Sequence, residues 1–231
     1  MYARLGFICL AMLAFSGLLV RFQIYAQSSQ AAQWHPTAVV RFCVLVVSFL
    51  WFLCGMTVIT LRKDNEHTRD IIGTAQASSH WACNAVATLA TTLALVLIGV
   101  SSNALISGLH LHSRGTHFLV LTNSRQAVLF LLAAITAGFV EEFVFRGYLQ
   151  RRFTTIFGSV WLGAAIQIGF FTGAHIYQGW TGMISVCLLG LTLTLTATAC
   201  RTLVPGMIAH GVGDALGPIL FLAHHLSRNG H

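Results

Sequence analysis

Three short stretches of this chain carry residues that can do chemistry. GFVEEFVFRGYLQRR, at 138–152, sets Glu141 beside Glu142 three residues past the end of a thirteen-residue stretch, 126–138, that holds no charge. FFTGAHIYQGW, at 170–180, puts His175 one helical turn beyond Phe171. PGMIAHGVGDALG, at 205–217, puts His210 one turn before Asp214. An ionisable residue near the centre of a membrane helix costs about 2.5–3.5 kcal/mol to insert, so residues kept there point to function.

Glu142 and Arg146 stand four apart in the favourable Glu-before-Arg order, so Arg146 is expected to neutralise Glu142 on a shared helical face. Glu141 then points about 100° away with no local cation. A carboxylate without a partner among apolar side chains suits a general base. The doublet therefore reads as one structural acid and one chemical acid. Glu141 and His175 each lie 17 residues from Gly158, where the chain is expected to turn, and two antiparallel helices folded there bring them to one depth. Taken alone, His175 also reads as a packed core histidine, and His210–Asp214 as a structural contact. As three polar elements of one bundle they read as a site. His210 follows Pro205 by only five residues while His175 ends its span, so equal depth for these two needs a tilt or a break at Gly173, Gly179, Gly182 or Gly190.

The elements that must position these residues follow from composition. Of 231 residues, 56% are hydrophobic and only 8% charged, where a soluble domain carries about a quarter; mean hydropathy is +0.76. The chain is an integral membrane protein, and apolar runs of about 20 residues without strand alternation favour helices over a barrel. The fold expected is an all-α, polytopic bundle of about seven spans, near 5–26, 42–61, 81–100, 126–150, 159–178, 181–200 and 205–223. By organisation, 1–125 holds amino-terminal spans, 126–223 the site-bearing core and 224–231 a polar tail. Arg4 before an apolar run also fits a signal peptide cut at Ala26, but Arg21 interrupts that run, which favours an uncleaved first span.

The net charge of +7 comes from 13 basic residues spread singly or in short groups between apolar runs, as membrane anchors are, and this excludes a nucleic-acid partner. Arg4, Arg62, Lys63, Arg69, Arg151, Arg152 and Arg201 fall on one side, and Arg21, Arg41, Arg114, Arg125 and Arg228 on the other, a slight preference for a cytoplasmic amino terminus. The six cysteines, Cys9, Cys43, Cys54, Cys83, Cys187 and Cys200, have neither metal-ligand nor redox spacing and read as small core residues. His110, His112 and His117, and His224, His225 and His231, read as interfacial segments rather than metal sites.

In order, E-E-x-x-F-R-G at 141–147, F-x-x-x-H at 171–175 and H-x-x-x-D at 210–214 resemble the CPBP family of intramembrane proteases. That family, the CAAX prenyl endopeptidases and bacteriocin-processing or immunity proteins, carries E-E-x-x-x-R, F-x-x-x-H and H-x-x-x-N/D on successive membrane helices. The match covers 126–223, and the first three spans carry no family signature. The resemblance implies a protease in which Glu141 activates water, His175 assists, His210 and Asp214 polarise the scissile carbonyl or stabilise the oxyanion, and Glu142 and Arg146 hold their helix in place. Asp214 departs from the Asn of the eukaryotic prenyl proteases: an Asn amide donates to an oxyanion and an ionised Asp does not. Asp is allowed in prokaryotic members, where it can orient His210 or ligate a metal.

The cofactor stays open between none and a divalent metal such as zinc. The family has been classed with metalloproteases, and two histidines with two or three carboxylates suffice for zinc. Yet the sequence has no H-E-x-x-H, and a Glu–His pair activates water without an ion. The resemblance further implies a membrane-associated or carboxy-terminal peptide substrate, the lipid bilayer as partner, and the inner membrane of a prokaryotic cell. A non-catalytic immunity or scaffold protein on the same fold is the alternative. A proton-coupled transporter or a haem protein is a third, since acids and histidines form relays and facing histidines bind haem; the Glu–Glu–Arg cluster has no role in haem ligation.

Overall fold

The computed structural model describes residues 2–27, 35–109 and 119–229. These fold into helices α1 (Tyr2–Gln27), α2 (His35–Lys63), α3 (Thr68–Ile72), α4 (Thr74–Ser79), α5 (Trp81–Gly108), α6 (Ser124–Glu141), α7 (Gln150–Phe157), α8 (Val160–Ala174), α9 (Gly179–Cys200) and α10 (Val204–Asn229). A π-helical segment, Glu142–Leu149, joins α6 to α7 without a break, and a 3-10 turn, Ile176–Gln178, joins α8 to α9. Six helical runs are long and apolar enough to cross a membrane, and α8 is a seventh, shorter apolar helix. The protein is thus an all-α polytopic bundle of about seven spans, with no strand among the described residues.

Local chemistry sets the ends of the site-bearing helices. The Asn123 side chain accepts from the Gln126 N–H at 3.0 Å and starts α6. The Ser159 hydroxyl accepts from the Leu162 N–H at 3.3 Å and starts α8; side-chain oxygens before a first turn satisfy its free N–H groups in this way. Between them Gly158 takes φ +67°, the left-handed conformation in which a helix commonly ends on glycine. The chain turns where the sequence places the turn.

One end of the bundle is basic and tied together. Arg4 of α1 donates to Asp64 at 2.9 Å, and Arg152 of α7 reaches Asp64 at 3.2 Å and Glu66 at 2.7 Å. The Leu203 N–H donates to the Ile72 carbonyl at 2.9 Å, joining the α9–α10 turn to α3. Leu5, Ile8 and Met12 of α1 lie in the main core with Leu53, Val140, Phe143 and Leu149, so the first helix is a packed member of the bundle. α10 continues through Asn229, and His224 and His225 ride on it. His110, His112, His117 and His231 lie outside the described residues. The cysteines depart from expectation in part: Cys43 and Cys54 are buried, while Cys83 and Cys187 are exposed. Lipid tails are as apolar as a protein interior, so a small apolar side chain has no strong reason to prefer either.

α6 and α10 make the closest approach in the core. A Cβ on Gly138 would lie 2.4 Å from the Gly211 nitrogen. Small residues let membrane helices approach to backbone contact, and this contact sets Glu141 and Glu142 opposite His210.

Candidate active site

Every residue of the π-helical segment Glu142–Leu149 is buried. A π turn bonds i to i+5, is wider than an α turn, and occurs mostly where function demands it. Glu142 is completely buried, and its Oε1 accepts from Arg146 Nη1 at 2.9 Å. The second guanidinium nitrogen of Arg146, Nη2, donates to the Gly190 carbonyl of α9 at 3.1 Å. Its planar face lies 4.3 Å from the centre of the Phe171 ring, a cation–π contact. Gly190 leaves this contact room, since a Cβ there would press on the Phe171 ring at 3.0 Å.

His210 is the hub. Its Nδ1 is 2.9 Å from the same Glu142 Oε1, and since an ionised carboxylate only accepts, Nδ1 carries the proton. Its Nε2 faces Glu141 Oε2 at 3.8 Å and Asp214 Oδ2 at 3.5 Å. Glu141 and Glu142 diverge around their helix and still reach one imidazole, because the two ring nitrogens face different ways. Glu142 therefore does more than anchor Arg146: it fixes the tautomer and direction of His210. The sequence reading had no signal for this link, which needs the α6–α10 distance. Glu141 Oε2 and Glu142 Oε2 are both buried without a hydrogen-bond partner; the two side chains differ in that Glu142 Oε1 accepts two hydrogen bonds. Asp214 stands at the rim, its side chain 46% exposed.

His175 closes α8. Its Nδ1 lies 2.8 Å from the Phe171 carbonyl, an acceptor only, so Nδ1 carries a proton, and in the neutral ring Nε2 has the lone pair. Helical side chains lean toward the amino terminus, and this bond draws the ring back over the preceding turn. Phe171 packs between the two histidines, with ring centres 4.8 Å from His175 and 6.3 Å from His210. His175 makes no hydrogen bond with Glu141 among the described residues, although it is near enough to act on that carboxylate electrostatically, as His210, Asp214 and Glu142 do.

His175 and His210 both pack on Phe171, and the helix that carries Phe171 is short. With 15 residues α8 is about 22 Å long, less than the roughly 30 Å hydrocarbon thickness. It stops at Ala174, and the chain turns through Ile176–Gln178 before Gly179, at φ +74°, opens α9. The break falls at one of the glycines the sequence offered.

The turn also delivers Tyr177, which the sequence reading passed over. It is buried, its ring centre lies 6.0 Å from that of His175, and its oxygen accepts from Gln178 Nε2 at 3.3 Å. Its own proton has no acceptor among the described residues. Only its place two residues after the motif histidine marked it in the sequence.

For a metal, the arrangement offers no fit: among the described residues no group of three or more His, Cys, Asp or Glu side chains is disposed to hold an ion. His210 Nδ1 is already engaged with Glu142, and Glu142 with Arg146.

Comparison with known proteins finds one likeness, and it falls on this cluster. No curated protein and no solved structure matches the chain. One family model does, over residues 123–216, and it describes Rce1-like type II CAAX prenyl endopeptidases. The matched segment runs from the cap of α6 to two residues beyond Asp214 and holds Glu141, Glu142, Arg146, His175 and His210 as well. Over that segment, about two fifths of the chain, the sequence is similar to the type II CAAX prenyl endopeptidases that its three motifs resemble.

Proposed function

We propose that this multi-pass membrane protein is an intramembrane endopeptidase that cuts a membrane-associated peptide near its carboxy terminus. The observation that carries the reading is the asymmetry of the doublet. Glu142 Oε1 accepts from both Arg146 and His210, while Glu141 makes no side-chain hydrogen bond among the described residues and its Oε2 faces the same imidazole. Glu141 takes a proton from water as the water oxygen bonds to the scissile carbonyl carbon. His175 Nε2 accepts the second water proton as a hydrogen bond and aligns the attack. The oxyanion needs donors, and an ionised Asp214 is not one. Tyr177 O–H, and His210 Nε2 when it carries a proton, are the donors at hand, with Asp214 orienting His210. As the C–N bond breaks, the proton on Glu141 passes to the leaving amine. The products are a carboxylic acid and an amine, and no step is routed through a metal.

The test uses the full chain in liposomes with two fluorogenic peptides, one ending in a prenylated cysteine motif and one without the prenyl group. Wild type cleaves the prenylated peptide, and Glu141→Gln lowers the rate by about 10²–10⁴-fold, the usual worth of a positioned general base, with the unfolding midpoint unchanged. If wild type cleaves neither peptide, or Glu141→Gln keeps full activity, the reading is lost.

A further inference from the structure

The α7–α8 turn, the α9–α10 turn and α3 meet at the basic end of the bundle around a cavity of about 430 Å³. None of Glu141, His175, His210 and Asp214 lines it. Its floor is polar and buried. Gln150 is only 8% exposed. Arg146, 3% exposed, also lines the cavity, and its Nε is buried with nothing to donate to. Leaving buried donors unmet is costly unless an acceptor arrives. At the mouth stand the exposed Arg151 and Arg201, neither paired with a carboxylate among the described residues. Asp70 is the one acid in the lining, so three guanidinium groups face one carboxylate. Their neighbour Arg152 shows the contrast, engaged with both Asp64 and Glu66.

The level of the mouth says which anion fits. Val160 lines the cavity, and beside it Trp161 and Phe157 are 65% and 50% exposed. Exposed aromatic rings at helix ends mark the headgroup level of a bilayer, and an excess of Arg and Lys marks the cytoplasmic leaflet. Guanidinium forks match phosphate oxygens, and basic pockets between membrane helices take lipid headgroups.

We propose that this cavity is a binding site for the phosphate of an anionic phospholipid headgroup, held at the mouth by Arg151 and Arg201 above Gln150 and Arg146. Occupancy reaches the proteolytic cluster through one side chain, because Arg146 also holds Glu142, and Glu142 holds His210.

The full chain is reconstituted in nanodiscs of phosphatidylcholine, with and without phosphatidylglycerol, and thermal unfolding is followed. Phosphatidylglycerol raises the wild-type midpoint by about 2–4 °C, the shift of a ligand that binds only the folded state. The rise disappears in Arg151→Gln/Arg201→Gln and persists in Arg62→Gln/Lys63→Gln, which removes the same charge at the same end outside the cavity. Should the first double variant not fold, each single variant is read in the same way, along with the phosphatidylglycerol that stays bound through detergent purification. A rise that survives the cavity variants, or that is lost equally in the control pair, overturns the site. Inorganic phosphate reproducing the full rise in phosphatidylcholine alone makes the ligand a soluble anion. A peptide with a free carboxy terminus doing so makes it a peptide. Either result overturns the lipid assignment.

Discussion

Helix α5 and the segment Glu142–Leu149 are both rich in apolar residues, yet they sit at opposite extremes of burial. Of the 28 residues of α5 only Asn84, Thr91 and Leu95 are buried, whereas all eight of Glu142–Leu149 are. Leu89, Leu93 and Leu97 of α5 are 72%, 59% and 55% exposed. In a soluble protein that row of leucines would face inward. Here polarity marks the inner face: two of the three buried residues of α5 are polar, and the segment that holds two charges is wholly enclosed. Lipid offers an apolar side chain the same company as the protein does, so packing and hydrogen bonds decide which way a helix turns. In a membrane bundle, then, the polar residues locate the interior and the leucines do not.

The largest break in this contrast comes from unpairing the buried charges. Glu142→Gln keeps volume but strands Arg146 and loosens His210. Removing one partner of a buried pair costs about 3–5 kcal/mol, so the variant is expected to fold poorly and melt early, whereas Glu141→Gln melts with wild type. Unfolding of both in the same nanodiscs measures this. Equal melting would mean that Glu142 carries no more structural weight than Glu141.

A smaller effect tests the enclosed region's chemistry. Tyr177→Phe keeps the ring and its 5.6 Å contact with Phe42 and removes only the hydroxyl. Loss of one oxyanion donor costs about 10²–10³-fold in kcat, so turnover of the prenylated peptide is expected to fall about 10²-fold with KM and melting temperature little changed. A variant with wild-type kcat would take Tyr177 out of the reaction.

What the sequence made legible follows the same division. Arg146 on Glu142, the turn at Gly158 and the bundle itself are local or compositional facts: an i,i+4 pair, a glycine conformation, a count of apolar runs. The contact of Glu142 with His210 spans 68 positions in the chain and depends on how closely α6 approaches α10, which Gly138 permits and no periodicity reveals. His175 is expected against Glu141; its Nδ1 is engaged by the Phe171 carbonyl within its own helix, and His210 from α10 also faces Glu141, at 3.8 Å. Tyr177 was missed because a tyrosine near a helix end in a membrane protein ordinarily reads as an interfacial anchor. Its significance depends on α8 stopping short, and the sequence showed glycines where a break was allowed without saying which one was used.

The smallest effect is the sharpest test of the comparison, and it lies on α5. The Thr91 hydroxyl is 2.8 Å from Thr196 Oγ1, and Thr196 itself donates to the Thr192 carbonyl at 3.0 Å, so Thr91 is the donor that ties α5 to α9. Thr91→Val preserves shape and removes that bond. Such interhelical bonds average about 0.6 kcal/mol in a bilayer. Leu89→Ala deletes a far larger side chain from a position that touches mainly lipid, and in the bundle it is expected to cost almost nothing. A soluble protein with a leucine in its core would reverse the order, losing about 2–5 kcal/mol for the leucine. Unfolding free energies of the two variants in one lipid composition decide between these. Leu89→Ala proving the more destabilising would mean that α5 turns its leucines toward a protein surface, and the rule that polarity marks the interior would fail for this helix.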